Sequence, residues 1–249
     1  MSYLNINTKS AMFGLIGLLA LSGSSLPASA GVVLSSTRVI YEESLHEKTI
    51  KAVNRGTSPV LIQTWIDDGR ENTPPDQLNV PFMVTPPVGR LDPKHEQIIK
   101  ITSLNNNFPK DRESVYWLNV MEIPAKAKNT TNVNILQVAF RTRIKLFWRP
   151  DGLKGTYPEA MEKLQWKLTN DNGKYVAIAS NSTPYYISLS KADVTSKGHS
   201  WKINVKMIPP FGKETLEIEK MTNLSPNAEI KYIAIGEQGN IQEFKQPAN

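Results

Sequence analysis

The sequence predicts an all-β protein built as two immunoglobulin-like β-sandwich domains. Three observations carry this. Short runs rich in β-branched and aromatic residues recur along the chain, divided by Pro, Gly, Asn and Asp. Proline (17) outnumbers glycine (14), and no long stretch shows helical periodicity. Five or six such runs fall in every ~100 residues, the spacing of a sandwich. A composition of 40% hydrophobic and 21% charged residues is that of a globular protein and excludes disordered and fibrous classes.

Residues 1–30 read as a leader outside the fold. Lys9 is a lone charge ahead of an apolar run, Ala11–Leu21, and Ala28-Ser29-Ala30 forms a small-x-small cleavage site. The run is too short to cross a bilayer, which needs ~20 residues. Cleavage after Ala30 would place the product outside the cytoplasm, not membrane-embedded, and start the mature chain at Gly31. With Lys9 gone, 28 Lys and Arg face 23 acids, a net of +5. So small an excess at such an address argues against nucleic acid as a partner.

The mature chain then opens on Val32–Tyr41, followed by Lys48–Asn54, Pro59–Asp67, Glu96–Ser103, Val115–Ile123 and Asn134–Trp148 as strand runs. Arg149-Pro150-Asp151-Gly152 breaks the pattern, because proline cannot donate to a ladder and Asp-Gly favours a turn. This predicts a first domain over 31–150 and a second over 151–249. The second contains runs at Leu164–Thr169, Tyr175–Ala179, Tyr185–Ser190, Trp201–Met207, Thr215–Glu219 and Ile230–Ile235.

Several chemistries are excluded. The chain has no cysteine, which removes disulfides, cysteine zinc sites and a cysteine nucleophile. His46, His95 and His199 lie far apart, without local metal-site spacing. No nucleophile elbow, phosphate-binding loop, His-Glu-x-x-His or dinucleotide motif is present. The acid pairs Glu42-Glu43 and Asp67-Asp68 are strand neighbours, which point to opposite faces and suit paired acid–base catalysis poorly. No enzymatic activity, catalytic residue, metal or cofactor is expected.

The run Asn134–Trp148 is fifteen residues long against a usual ~5–6. Leu136, Val138 and Phe140 alternate with Gln137 and Ala139, which puts three apolar side chains on one face. A core-facing strand gives the same pattern. Arg141, Arg143, Lys145 and Arg149 then crowd the same run. Such cations form either a solvated face or an anion-binding end to an exposed apolar edge. In the second case the strand could pair with a partner and hold its carboxylate.

Five motifs in order make a family resemblance specific. Phe108–Ala125 (FPKDRESVYWLNVMEIPA), Arg143–Pro150 (RIKLFWRP), Thr37–Tyr41 (TRVIY), Thr85–Pro93 (TPPVGRLDP) and Asn181–Tyr186 (NSTPYY) resemble the periplasmic chaperones of the chaperone–usher pilus pathway. The resemblance implies a boomerang arrangement of the two sandwiches, a periplasmic location and pilin subunits as clients. The chaperone would lend a strand to an incomplete subunit sandwich, with Leu136, Val138 and Phe140 in the subunit groove. By motif, Arg38 and Lys145 would bind the subunit's C-terminal carboxylate. The family's interdomain charge network matches Glu113 and Arg149; its third member is normally an aspartate, and here Glu237 is the nearest candidate. The chaperone would deliver subunits to an outer-membrane usher, with Leu61 as a candidate contact that is equally readable as a core residue. The short, cysteine-free connection Pro124–Val133 resembles the branch that serves rod-shaped pili.

Two expectations follow from the residues themselves. Lys145 has odd numbering and the three apolar residues even, so a regular strand would face them oppositely. A bulge between Phe140 and Lys145 would bring them together; otherwise Lys145 points into a cleft while the apolar residues point into the subunit. An exposed apolar edge also invites capping by a second copy, a client-free dimer. The alternative function is a secreted fibre subunit or adhesin, which should carry an N-terminal extension, whereas here the mature chain begins almost directly with the strand of Arg38.

Overall fold

The structure, a computed structural model, describes residues 31–105, 107–125, 137–221 and 227–248. The leader and Leu136 lie outside the described residues.

The first sandwich pairs a four-stranded sheet with a five-stranded one. The smaller sheet orders β1 (Val32–Leu34), β3 (Lys48–Asn54), β7 (Glu96–Ser103) and β5 (Phe82–Thr85). The larger orders β2 (Arg38–Glu42), β9 (Phe140–Arg149), β8 (Ser114–Pro124), β4 (Val60–Asp67) and β6 (Val88–Leu91). Alternate residues such as Ile50 and Ala52, Ile62 and Thr64, and Ile99 and Ile101 point into the core between them. Aromatic rings close one end. Trp148 stacks on Phe108 at 4.3 Å and on Tyr41 at 5.1 Å, and Phe82 packs against all three.

The second sandwich orders β10 (Gln165–Asp171), β11 (Lys174–Ser180) and β14 (Lys213–Glu217) in one sheet. The other orders β13 (His199–Ile203), β12 (Leu189–Ser196), β15 (Glu229–Ile235) and β16 (Ile241–Pro247). A short helix, α1 (Tyr157–Glu162), closes its core with Tyr157, Ala160 and Met161.

Four sequence expectations need correction. The run Val32–Tyr41 is two strands in different sheets. Serines make the switch: Ser35 N–H donates to the Lys51 carbonyl, and the Ser36 hydroxyl bonds back to the Arg38 carbonyl. The described strand in the long run starts at Phe140, while 137–139 are not in a ladder. Residues Tyr185–Ser188 are not part of β12. Ile187 makes only an isolated bridge to Ile208, and the Tyr186 N–H is taken by a carboxylate instead of a ladder. Finally, β5, β6, β16 and α1 were not expected. β6 follows two prolines, and β16 is a largely exposed edge strand without a clean alternation. The helix is too short for periodicity, although Thr156, Pro158 and Glu159 form a start signal; Thr156 accepts the Glu159 N–H.

Candidate functional site: a strand edge beside a cationic cleft

The site is organised by β9. Its antiparallel register with β8 runs unbroken from Phe140↔Glu122 to Trp148↔Ser114, so no bulge separates Phe140 from Lys145. Parity therefore holds along the strand. Ile144, Leu146 and Trp148 face the first core. Lys145, Phe147 and Arg149 face the second sandwich, where they meet Ser188, Tyr186 and Glu237. Phe140 lies on the core side but beyond the core.

The two halves of β9 differ on their other flank. Lys145 to Arg149 pairs in parallel with Arg38 to Glu42. Phe140 to Ile144 has no ladder on that side among the described residues. Phe140 is 65% exposed there, and Val138, just before the strand, is 46% exposed. The result is a free strand edge with large apolar side chains, which soluble proteins normally blunt or cover.

Where the parallel ladder begins, Arg38 stands directly across from Lys145. Arg38 is buried, at 6% exposure. Its Nη1 donates to the Ile235 carbonyl at 3.0 Å, a carbonyl that also accepts from the Tyr157 hydroxyl at 2.9 Å. Its Nε has no partner among the described residues. The Lys145 ammonium donates to Ser188 Oγ at 3.0 Å. Burial strips water from that ammonium, and the Arg38 guanidinium repels it; together they push its pKa down to about 8. Neither cation meets a carboxylate among the described residues. A cleft of about 390 Å³ opens beside them, lined by Arg38, Ile40, Lys48, Arg149, Glu237 and Gln238; Lys145 is not in its lining.

Arg149, four residues further on, is in the opposite condition. Its Nε donates to Glu113 Oε1 at 2.8 Å and its Nη1 bonds Glu237, while its guanidinium lies 5.1 Å from the Tyr185 ring. Glu113 is 2% exposed, and its second oxygen accepts the Tyr186 N–H at 2.8 Å. Burial raises the Glu113 pKa despite the charge of Arg149. Thus Glu113, Arg149 and Glu237 come together across the two sandwiches, and the extra methylene of Glu237 does not prevent contact.

The other two cations of the run are not an anion-binding end. Arg143 grips Asp67 with two bonds, Nε to Oδ2 at 2.8 Å and Nη2 to Oδ1 at 2.5 Å, and lies 4.6 Å over the Trp117 ring. Arg141 donates to the Glu71 carbonyl at 2.7 Å. Asp67 is 1% exposed; burial raises its pKa, but hydrogen bonds from Arg143, Asn119 and Gly69 outweigh this and hold it low. Asp67 and Asp68 therefore serve different partners, Asp68 bonding Arg70 at the surface. Sequence reasoning missed this use of Asp67, along with Ser188, Tyr157 and the Ile235 carbonyl. The first is 76 residues from Arg143, and nothing local signals the pair. Leu61 is no core residue: it is 42% exposed, on the outward face of β4 opposite Ile123 and Arg90.

Comparison with known proteins follows the same division into two parts. The family described as "Pili and flagellar-assembly chaperone, PapD N-terminal domain" matches residues 31–154, and "Pili assembly chaperone PapD, C-terminal domain" matches 159–246. A probable fimbrial chaperone, YadV of Escherichia coli K12, is 42% identical over 228 residues, covering 90% of this chain and 92% of its own. This chain belongs to the pilus-assembly chaperone family. The Bordetella pertussis chaperone FimB/FhaD is 36% identical over 92% of this chain and 93% of its own. The crystal structure of the YadV chaperone matches the fold with a TM-score of 0.76 at 39% identity, over 88% of this chain and all of that one. The SafB chaperone, in complex with the Salmonella enterica SafA pilin, matches with a TM-score of 0.72 at 25% identity, over 90% of this chain and 98% of that one. Among the described residues of this chaperone no helix is long and apolar enough to cross a membrane.

Proposed function

We propose that this chaperone works in the periplasm by lending the open half of β9 to pilin subunits that lack a strand, anchoring each by its C-terminal carboxylate between Arg38 and Lys145. One observation carries the reading. Buried Arg38 and half-buried Lys145, neither meeting a carboxylate among the described residues, stand side by side at the point where the β2 ladder begins and the free edge ends. A subunit strand laid along Phe140–Ile144 would bring its terminus to that point. Each charge-assisted hydrogen bond to the carboxylate adds about 1.5–3 kcal/mol and satisfies the unpaired Arg38 Nε. The anchor also fixes register, since a one-residue slip would turn every subunit side chain to the wrong face. Backbone pairing along the edge tolerates different subunit sequences. Phe140 and Val138, with Leu136 beyond the described residues, would fill the subunit groove.

The exposed Leu61 supports a role for the outward β4 face in docking to an outer-membrane usher. The same open edge supports capping by a second copy when no subunit is present. A strict monomer in light scattering at high concentration overturns that capping.

The test is periplasmic co-expression with a tagged candidate pilin, followed by pull-down, for the parent, Arg38→Ala and Lys145→Ala, with each variant's fold checked by circular dichroism. Loss of the complex in both folded variants is the expected result. Undiminished capture by both overturns the carboxylate anchor.

A further inference from the structure

Among the described residues the open half of β9 has backbone pairing on one side alone, yet it must stay extended to receive a partner strand. Edges of this kind open easily, because few contacts oppose local unfolding. Here the outward side chains counter that. Arg143 reaches across β8 to the end of β4, where Asp67 takes its planar fork with two bonds and the Trp117 ring lies beneath it. Asn119, directly opposite Arg143 on β8, donates to the same Asp67 oxygen at 2.7 Å. Arg141, one outward position earlier, ties to the Glu71 carbonyl in the turn after β4. Both tethers leave from the outward face. Phe140 and Thr142, on the other face, stay exposed.

We propose that Arg143, assisted by Arg141, is a positioning residue for strand donation: the two arginines tie the outward face of Phe140–Ile144 to Asp67 and Glu71, so the donor edge is ordered before a subunit arrives. This rests on the strand-lending reading above. Ordering a segment in advance removes an entropic cost from binding, so the effect should fall on the rate of capture more than on the finished complex. A bidentate guanidinium suits the task better than an ammonium, because the planar fork fixes direction as well as distance.

The experiment uses the full mature chain as the parent, Arg141→Gln, Arg143→Lys and Arg143→Met. Amide hydrogen exchange is followed by NMR across β9, and capture of a purified strand-deficient pilin is timed by stopped flow. Arg143→Met leaves Asp67 buried without a cation to balance its charge and can fail to fold; Arg141→Gln changes an exposed side chain and Arg143→Lys keeps the charge, so these two carry the test in that event. The expected result is exchange about tenfold faster at Phe140–Ile144 with Leu146–Trp148 unchanged, and capture slowed several-fold at an unchanged dissociation rate. Arg143→Lys should fall between the parent and Arg143→Met. Unchanged exchange at Phe140–Ile144 overturns the proposal, as does faster exchange spread evenly over β9, which marks general destabilisation. Failure of the parent to capture any pilin would count against strand lending itself, while the exchange measurement still decides whether the tethers order the edge.

Discussion

Arg38 and Lys145 are direct neighbours across a parallel strand pair, and no carboxylate among the described residues meets either. Like charges placed opposite one another are destabilising. The same strand shows that the fold can satisfy a buried cation, since Arg149 lies between Glu113 and Glu237. The contrast within five residues separates a cation neutralised inside the fold from a pair that meets no carboxylate among the described residues, the arrangement that the proposed anchor requires. Shifts as large as that of Lys145 concentrate at functional sites.

The first prediction concerns pH. In the free chaperone Lys145 loses its proton around pH 8. A bound carboxylate favours the charged ammonium, so binding raises that pKa. Below about pH 7 the amine is protonated in both states, and affinity should be flat. Above pH 8 binding must take up a proton, and affinity should fall by up to about tenfold per unit. Lys145→Arg, which does not titrate in this range, should flatten the profile. Titration calorimetry of subunit binding between pH 6.5 and 9.5, in buffers of different ionisation enthalpy, measures both the slope and the proton uptake.

The second prediction is a trade of stability against function at the same lysine. Its folded pKa, about 8, lies below the ordinary lysine value of 10.5, so the unfolded chain binds more protons between these two values. Stability should therefore rise with pH across that window, and at pH 7 the cost of the charge is present in full. Lys145→Met removes the cost while leaving Ser188 without its donor. The net expected gain is about 1–2 kcal/mol in urea unfolding at pH 7, shrinking toward zero near pH 10. Subunit capture should fall in the same variant. Loss of stability at pH 7 would mean that the ammonium contributes more through Ser188 than it costs.

The third prediction separates the members of the charge network. Removing one partner of a buried ion pair leaves a charge uncompensated, so Arg149→Ala should cost about 3–5 kcal/mol. Glu113→Gln keeps an acceptor for the Tyr186 N–H and leaves Arg149 its bond to Glu237, so about 1–2 kcal/mol is expected. Burial already raises the Glu113 pKa, and losing Arg149 raises it further. A carboxyl whose folded pKa lies above its unfolded one gains stability as pH falls through the folded value. Arg149→Ala should thus recover part of its loss between pH 7 and 5, and Arg149→Ala/Glu113→Gln should not. Chemical denaturation at the two pH values checks this.

The strand pattern, the long β9 run and the cations at Arg38 and Lys145 were legible because period-2 alternation and motif order are local properties of the chain. Parity along β9 was legible too, and the unbroken register gives its outcome: Lys145 faces Ser188 of the second sandwich and Phe140 lies on the opposite face. What was hidden depends on long-range pairing. Nothing near Asp67 announces that a guanidinium 76 residues on will bury it. The partners of Arg38 include a backbone carbonyl, Ile235, which carries no sequence signal at all. The switch between β1 and β2 rests on serine hydroxyls that read locally as ordinary strand residues.

The last prediction tests the turn that carries the Arg38 acceptor region against the first sandwich. Gly239 sits between β15 and β16 at φ +84°, and a Cβ there would lie 2.5 Å from the Thr37 hydroxyl oxygen, next to Arg38. Gly239→Ala therefore meets both a backbone penalty and a collision. A loss of about 1–3 kcal/mol is expected. Thr37→Gly in the same chain removes the collision but not the backbone penalty, so the pair should be non-additive by about 1 kcal/mol. The turn's neighbours, Ile235 and Glu237, hold Arg38 and Arg149. Displacing the turn should thus weaken subunit capture as well as stability. Gly239→Ala with full capture at unchanged affinity would show that the Arg38 guanidinium keeps its place without that turn.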